Sequence, residues 1–488
     1  MSDISEVTES ISTFFQENLD SFLKFAAMKN LSPVYDKDWE SKGDLLNCFT
    51  EMKKYIEEKN IKDLKNLQIL QESGKTPALF FSVDPSDTTE TYTTLIYSHI
   101  DKIPFGEGWT KIDPNFPKMI DGYIYGRGVA TGLYSIFTIL SILETMQNLS
   151  MKRPKMLVLL ESSFESGSSD LTIYLEKIKN SYTINSIICL ETWGPCNDYF
   201  HYTKSTRGLI SFDLKITTAT KSVHSGSFGG LIPDSMMIFQ NIMENKIEKI
   251  EKSGNATNIL IPDMEITITD EQEKECKTIC DNCGYEIITV IPNGSYSTLI
   301  GNKGEDEDED FLISYKNGVL RPSCTILGFE NIPDINNASG SLRPYLNVRL
   351  CFRTPPTFDV NIGFTNLKTK LTENVPFNAK IEIENVELIQ GIDLDNTNTI
   401  SEDMLNSIDG FTKQLTNKNI QAFRICDSLL CLNYLTGMFK DVPILVTGGG
   451  ENFTGNTRGG NECLRMVRII KFSTCLACFI SDFENYKS

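Results

Sequence analysis

The chain has 488 residues, too many for one hydrophobic core, and so points to two domains or three. An apolar share of 40% beside a charged share of 23% is that of an ordinary globular protein and argues against a mainly disordered chain. With 65 acidic and 46 basic residues the formal charge is −19, which disfavours nucleic acid and anionic membrane as partners. The first residues, Met1-Ser2-Asp3-Ile4-Ser5-Glu6, lack the basic and apolar regions of a signal peptide, and no apolar run reaches the roughly 18–20 residues that span a bilayer. A cytoplasmic protein without membrane association is expected. The 13 cysteines are scattered, which suits reduced thiols. Cys276, Cys280 and Cys283 lie close together without a fourth Cys or a His nearby, so half-buried helical cysteines are expected there and not a structural zinc site.

Residues 1–65 carry apolar side chains at helical spacing, from Ile4, Ile11 and Phe14 to Met52 and Ile56, and read as two amphipathic helices separated by Ser32-Pro33. Two strands are expected over 66–100, the second being the apolar run Leu95-Ile96-Tyr97 that ends on Ser98-His99-Ile100-Asp101. A Pro/Gly-rich loop follows, then Tyr125-Gly126-Arg127-Gly128, a helix over Gly132–Asn148, a strand Lys155–Glu161, a helix Ser168–Lys177 and a strand Ser186–Glu191. This alternation implies a mainly parallel or mixed sheet sandwiched by helices, an α/β domain. After Thr206 the pattern changes. Leu209–Thr217, Glu286–Ile291, Ser323–Leu327 and Tyr345–Phe352 alternate in the antiparallel manner, with a helix over Pro233–Lys246, as in a small α+β domain inserted into the first. The acidic run Glu305–Asp310 reads as a solvated loop. From about Pro376 the chain is expected to return to the first domain with a strand at Lys380–Leu388, helices Met404–Thr416 and Leu429–Met438, a strand Val442–Thr447 and a final helix Met466–Phe483.

Three strand ends thus offer His99, Asp101, Glu161, Glu165 and Glu191 to one crevice. Ligands bind outside the carboxyl ends of parallel strands, and this set is of a kind a divalent metal takes. Polar residues also stand at strand ends because strands end at the surface, and the residues alone leave both readings open.

Taken in order, the motifs resemble a family of co-catalytic zinc peptidases that contains carnosine dipeptidase, cytosolic nonspecific dipeptidase, glutamate carboxypeptidase and aminoacylase. The pieces run from Leu95 to about Glu462: Tyr97-Ser98-His99-Ile100-Asp101, Tyr125-Gly126-Arg127-Gly128, Phe164-Glu165-Ser166-Gly167-Ser168, Arg207-Gly208, Val223-His224-Ser225-Gly226 with Phe228-Gly229-Gly230, Arg353 near Pro355, and Asn461-Glu462. The resemblance implies a catalytic domain of residues 1–205 and 380–488 and an inserted lid of 206–379 that dimerises. It also implies His99, Glu165 and Glu191 as metal ligands, Asp101 as the carboxylate that orients His99, His224 as the donor to the oxyanion and Arg353 as the partner of the substrate carboxylate.

The same resemblance exposes departures. Thr131 stands where the family has its bridging Asp, Phe164 where it has its general-base Glu, and Arg458 where it has its last His ligand. The chain's other histidine, His201, cannot serve near the C-terminus. A guanidinium at Arg458 is expected to pair with Glu165 or Glu191 in place of a cation. The expected function is a catalytically inactive or strongly impaired peptidase homologue that binds a small peptide or a partner. The alternatives are an active metallo-dipeptidase with a rearranged site and Glu161 as base, and a structural dimeric subunit with an empty cleft. Zinc or manganese is the expected metal if one is bound, and none is expected under the first reading.

Overall fold

The computed structural model describes the chain except for residues 1–2, 195–199, 252–256, 263, 289–298, 302–305, 452–454 and 488. The described residues form two compact units, one of Met1–Lys204, Leu394–Phe423 and Leu429–Ser488, the other of Ser205–Asp393 and Arg424–Ser428.

The first unit is built on a six-stranded mixed sheet in the order Leu64–Leu70, Ala78–Val83, Lys155–Glu161, Thr93–His99, Ser186–Cys189, Ile444–Val446. The last four strands run parallel; Ala78–Val83 is antiparallel to Lys155–Glu161, and Leu64–Leu70 is antiparallel to Ala78–Val83. Ala78–Val83 and Thr93–His99 are buried at every position, as expected of strands covered on both faces. The helix Leu133–Asn148 is apolar almost all round and packs with Ile4–Glu17 and Met466–Ser481 in the main core, which includes Ile11, Phe14, Phe137, Leu140 and Phe479. The N-terminal segment forms four helices where two were expected, Ile4–Glu17, Leu19–Ala27, Trp39–Lys42 and Asp44–Glu58, because Asn18 interrupts the first and Gly43, at φ +68°, separates the last two. Among the described residues no helix is long and apolar enough to cross a membrane.

The second unit holds a four-stranded antiparallel sheet in the order Ser323–Glu330, Tyr345–Thr354, Gly208–Thr217, Lys380–Ile389. Alternate residues Ile210, Phe212, Leu214 and Ile216 meet Leu346, Val348, Leu350 and Phe352 in its core. The edge strand leaves Ile326, Leu327 and Phe329 exposed.

Several expectations need correction. Lys380–Ile389 does not begin the return to the first unit. It pairs with Gly208–Thr217 through a long-range register that local composition does not reveal, and the chain re-enters the first unit at Leu394. Glu286–Ile288 belong to the helix Asp270–Ile288, not to a strand, and the remainder of that expected strand lies outside the described residues. The acidic run is a helix start: Asp306 caps Glu307–Val319 by accepting the N–H groups of Asp308 and Glu309, which places negative charge at the positive end of the helix dipole; Glu305 lies outside the described residues. The described cysteines are free, Cys276 and Cys280 among them, apart from Cys283, which is disulfide-bonded.

Candidate active site

Thr93–His99 lies between Lys155–Glu161 and Ser186–Cys189, parallel to both, so the three carboxyl ends converge. His99 is buried there. Its Nδ1 lies 3.1 Å from Asp101 Oδ1 and its Nε2 3.3 Å from Glu191 Oε2. The second approach is an ion-pair distance without hydrogen-bond alignment, since Nε2 lacks a hydrogen-bond partner; the other oxygen of Glu191, Oε1, lacks one as well. Burial alone would lower the histidine pKa, but Glu191 and Asp101 outweigh it and raise the pKa, while burial raises that of Glu191. Asp101 also accepts the backbone N–H groups of Phe164 at 3.1 Å and Glu165 at 2.9 Å. One carboxylate thereby fixes both the His99 ring and the turn that follows Lys155–Glu161.

That turn delivers Phe164 and Glu165. The Phe164 ring stacks on the His99 imidazole with centroids 4.2 Å apart and an interplanar angle of 16°. An apolar ring therefore covers the histidine at the position where the family places a proton acceptor. Glu165 meets Arg458: Nη2 lies 2.9 Å from Oε2, and Nε donates to Oε1 at 3.2 Å, a two-point guanidinium–carboxylate pair. Burial raises the Glu165 pKa and the Arg458 charge opposes the rise. Arg458 itself sits at φ +66°, in a glycine-rich loop, with its guanidinium 5.8 Å from the Trp193 ring centre. The loop is anchored on both sides. Buried Glu462 accepts Arg127 Nη1 at 2.7 Å and the N–H groups of Gly128 and Ala130, while Asn461 Oδ1 accepts those of Thr110 and Lys111 at 2.9 Å each.

Thr131 is half-buried, and its neighbour Gly132 is pressed against His99: a Cβ at Gly132 would meet the His99 carbonyl oxygen at 2.4 Å. Glu161, in register with His99, is held by the hydroxyls of Tyr97, Ser168 (2.7 Å) and Ser163 (3.0 Å), and burial pushes its pKa up to about 7. With both oxygens engaged, it is a structural carboxylate before it is a base.

In the second unit, His224 is exposed, with Nδ1 3.4 Å from Ser227 Oγ. Arg353 Nη1 lies 2.8 Å from Asp427 Oδ1 and donates to Ser428 Oγ at 2.9 Å, so the charge assigned to a substrate carboxylate already has a carboxylate partner. Asp427 and Ser428 were not legible as part of this constellation because they reach Arg353 from a distant segment of chain. The run Arg424-Ile425-Cys426-Asp427-Ser428, polar residues at a strand end, is the signal that could have drawn attention to them.

The residues present do not fit a co-catalytic metal pair. A hydroxyl, a phenyl ring and a guanidinium stand at Thr131, Phe164 and Arg458, and the guanidinium occupies both oxygens of Glu165. Among the described residues no group of three or more His, Cys, Asp or Glu side chains is arranged to hold an ion.

The first unit is thus a helix-covered mixed α/β sheet with polar groups at its parallel strand ends. No protein-family model matches the chain. By sequence it is similar to the cysteinylglycine-S-conjugate dipeptidase of Corynebacterium striatum, 24% identical over 325 residues covering 64% of this chain and 67% of the relative. It is also similar to the Cys-Gly metallodipeptidase of Candida albicans, 27% identical over 267 residues, 51% of this chain and 49% of the relative, so the match spans about half the length of that enzyme. Among solved structures the fold matches the dipeptidase Dug1p of Saccharomyces cerevisiae with a TM-score of 0.76 at 16% identity, covering 100% of this chain and 99% of that one. Human carnosine dipeptidase 1 matches with a TM-score of 0.76 at 17% identity over 98% of both chains. In sequence the chain thus resembles metallo-dipeptidases, and it shares the fold of the solved dipeptidases.

Proposed function

We propose that this protein is a member of the dipeptidase family that does not hydrolyse peptides and instead binds a small peptide or a partner protein at its retained strand-end site. The observation that carries this reading is the two-point pair between Arg458 and Glu165, which sets a fixed cation where the resemblance expects a metal ligand. The Phe164–His99 stack supports it, since no carboxylate stands there to take a proton from water. Arg353 supports it too, its charge being balanced by Asp427. Glu161, the replacement base of the active alternative, is held by hydroxyls through both oxygens. The lid and dimer roles of the second unit belong to the same proposal. Their support is the edge strand Ser323–Glu330, whose free backbone groups and exposed Leu327 and Phe329 suit pairing with a second copy.

The test is the zinc and manganese content of the purified chain after dialysis without chelator, followed by a dipeptide hydrolysis screen and light scattering. Less than about 0.1 metal per chain, no chelator-sensitive turnover and a dimeric mass are expected. One or two metals per chain with turnover that chelator abolishes would overturn the reading in favour of an active metallo-dipeptidase, and a monomeric mass would remove the dimer.

A further inference from the structure

A cavity of about 410 Å³ opens in the first unit between the segment after Leu19–Ala27 and the loop after Asp101. It shares no lining residue with the His99 cluster and falls within the size range of small-molecule sites. One wall is apolar, made by Met28, Leu31, Ile103 and Phe105. The polar wall includes two buried cations, Lys102 and Arg127.

Lys102 donates from Nζ to the carbonyl oxygens of Ala26 at 2.8 Å, Met28 at 3.1 Å and Phe25 at 3.4 Å, closing the C-terminal end of Leu19–Ala27. The carbonyls at the negative end of the helix satisfy the ammonium's protons and offset part of its charge, as does Glu462 from farther away, but among the described residues no carboxylate lies within ion-pair distance to supply a full counter-charge. Arg127 is balanced by Glu462, yet its Nε lacks a hydrogen-bond partner, as does Oδ1 of buried Asn30 on the same wall. At the rim Lys42 and Asp36 pair at 2.6 Å, and the exposed Lys29 offsets Asp44. The surplus charge of the cavity is therefore that of Lys102, a local positive site in a chain of net charge −19. Water can satisfy an orphaned N–H or oxygen but cannot supply that counter-charge.

We propose that this cavity binds a small amphipathic organic anion, an aromatic or short acyl carboxylate or sulfonate. Its apolar body rests on Leu31 and Phe105, and its charged end faces Lys102.

The full chain, titrated with 8-anilinonaphthalene-1-sulfonate and followed by fluorescence, should show one saturable site, with affinity about tenfold above that for the uncharged N-phenyl-1-naphthylamine. Lys29→Glu, an exposed rim substitution that leaves the buried bonds intact, should weaken the sulfonate about tenfold. Lys179→Glu reverses a lysine at a separate surface depression beside Met438 and Lys440 and should change nothing, provided circular dichroism shows both variants folded. A lack of saturable binding, equal affinity for the two probes, or equal response to the two substitutions would overturn the proposal.

Discussion

His99 and Lys102 flank one turn of chain at the end of one strand, yet the charges around them are managed in opposite ways. At His99 the carboxylates lie beside basic groups: Asp101 and Glu191 both face the imidazole, and Glu165 is held by Arg458. At Lys102 the cation is bonded to helix C-terminal carbonyls and borders an open cavity, with no carboxylate among the described residues at ion-pair distance. Groups already paired with one another gain less from a ligand's charge than a buried cation that lacks a carboxylate partner and borders empty space. The cluster that the motifs mark pairs its charges with one another, whereas Lys102 borders open space.

The comparison can be broken most forcefully at the buried pair that anchors the Arg458 loop. Arg127→Met would leave Glu462 buried and uncompensated and should cost about 3–5 kcal/mol in urea unfolding. A loss below about 1 kcal/mol would show that internal balance is not what stabilises this region. Arg458→Met should cost less, about 1–3 kcal/mol, because its guanidinium side chain is 32% exposed. Adding Glu165→Gln to it should recover most of the loss, and strictly additive effects in the double-mutant cycle would mean that the two groups are not coupled. The smallest effect sharpens a third case, a buried group that carries no charge. Burial, aided by Arg468, pulls the His201 pKa down to about 3, with Thr192 Oγ1 3.1 Å from Nε2. The unfolded chain takes up this proton below about pH 6.5 and the folded chain does not, so this histidine's contribution is fully present above pH 6.5. It should fall by up to about 1.4 kcal/mol per pH unit as pH drops from 6.5 towards 3, and His201→Gln should flatten that part of the stability profile.

Much of the first unit was legible because its signals are local. Lys155–Glu161 is an apolar run bounded by charge and appears with those limits, and Leu133–Asn148 announces itself by apolar residues on nearly every face. What failed depended on distance along the chain. Lys380–Ile389 alternates as a strand should, but only its register with Gly208–Thr217 reveals the unit it serves. The acidic run after Glu305 looked like a solvated loop because charge density says nothing of the helix dipole that it caps. At the site, His99, Asp101, Glu165 and Glu191 converge as the strand ends implied, and the Arg458–Glu165 contact follows the expectation drawn from motif order. The stacking of Phe164 on His99 was not legible, since a missing base does not say where the replacing ring will lie. Nor was Lys102, which stands between Asp101 and Ile103 with nothing in the local sequence to show that it is buried.

Gly132 limits where a further carboxylate could enter the His99 cluster. Any side chain at 132 would drive a Cβ to within 2.4 Å of the His99 carbonyl oxygen and 3.0 Å of its ring, displacing the histidine before any new group could act. Thr131, half-buried and outside that contact, leaves a neighbouring position open to Asp. A carboxylate can therefore enter this turn at 131 and not at 132.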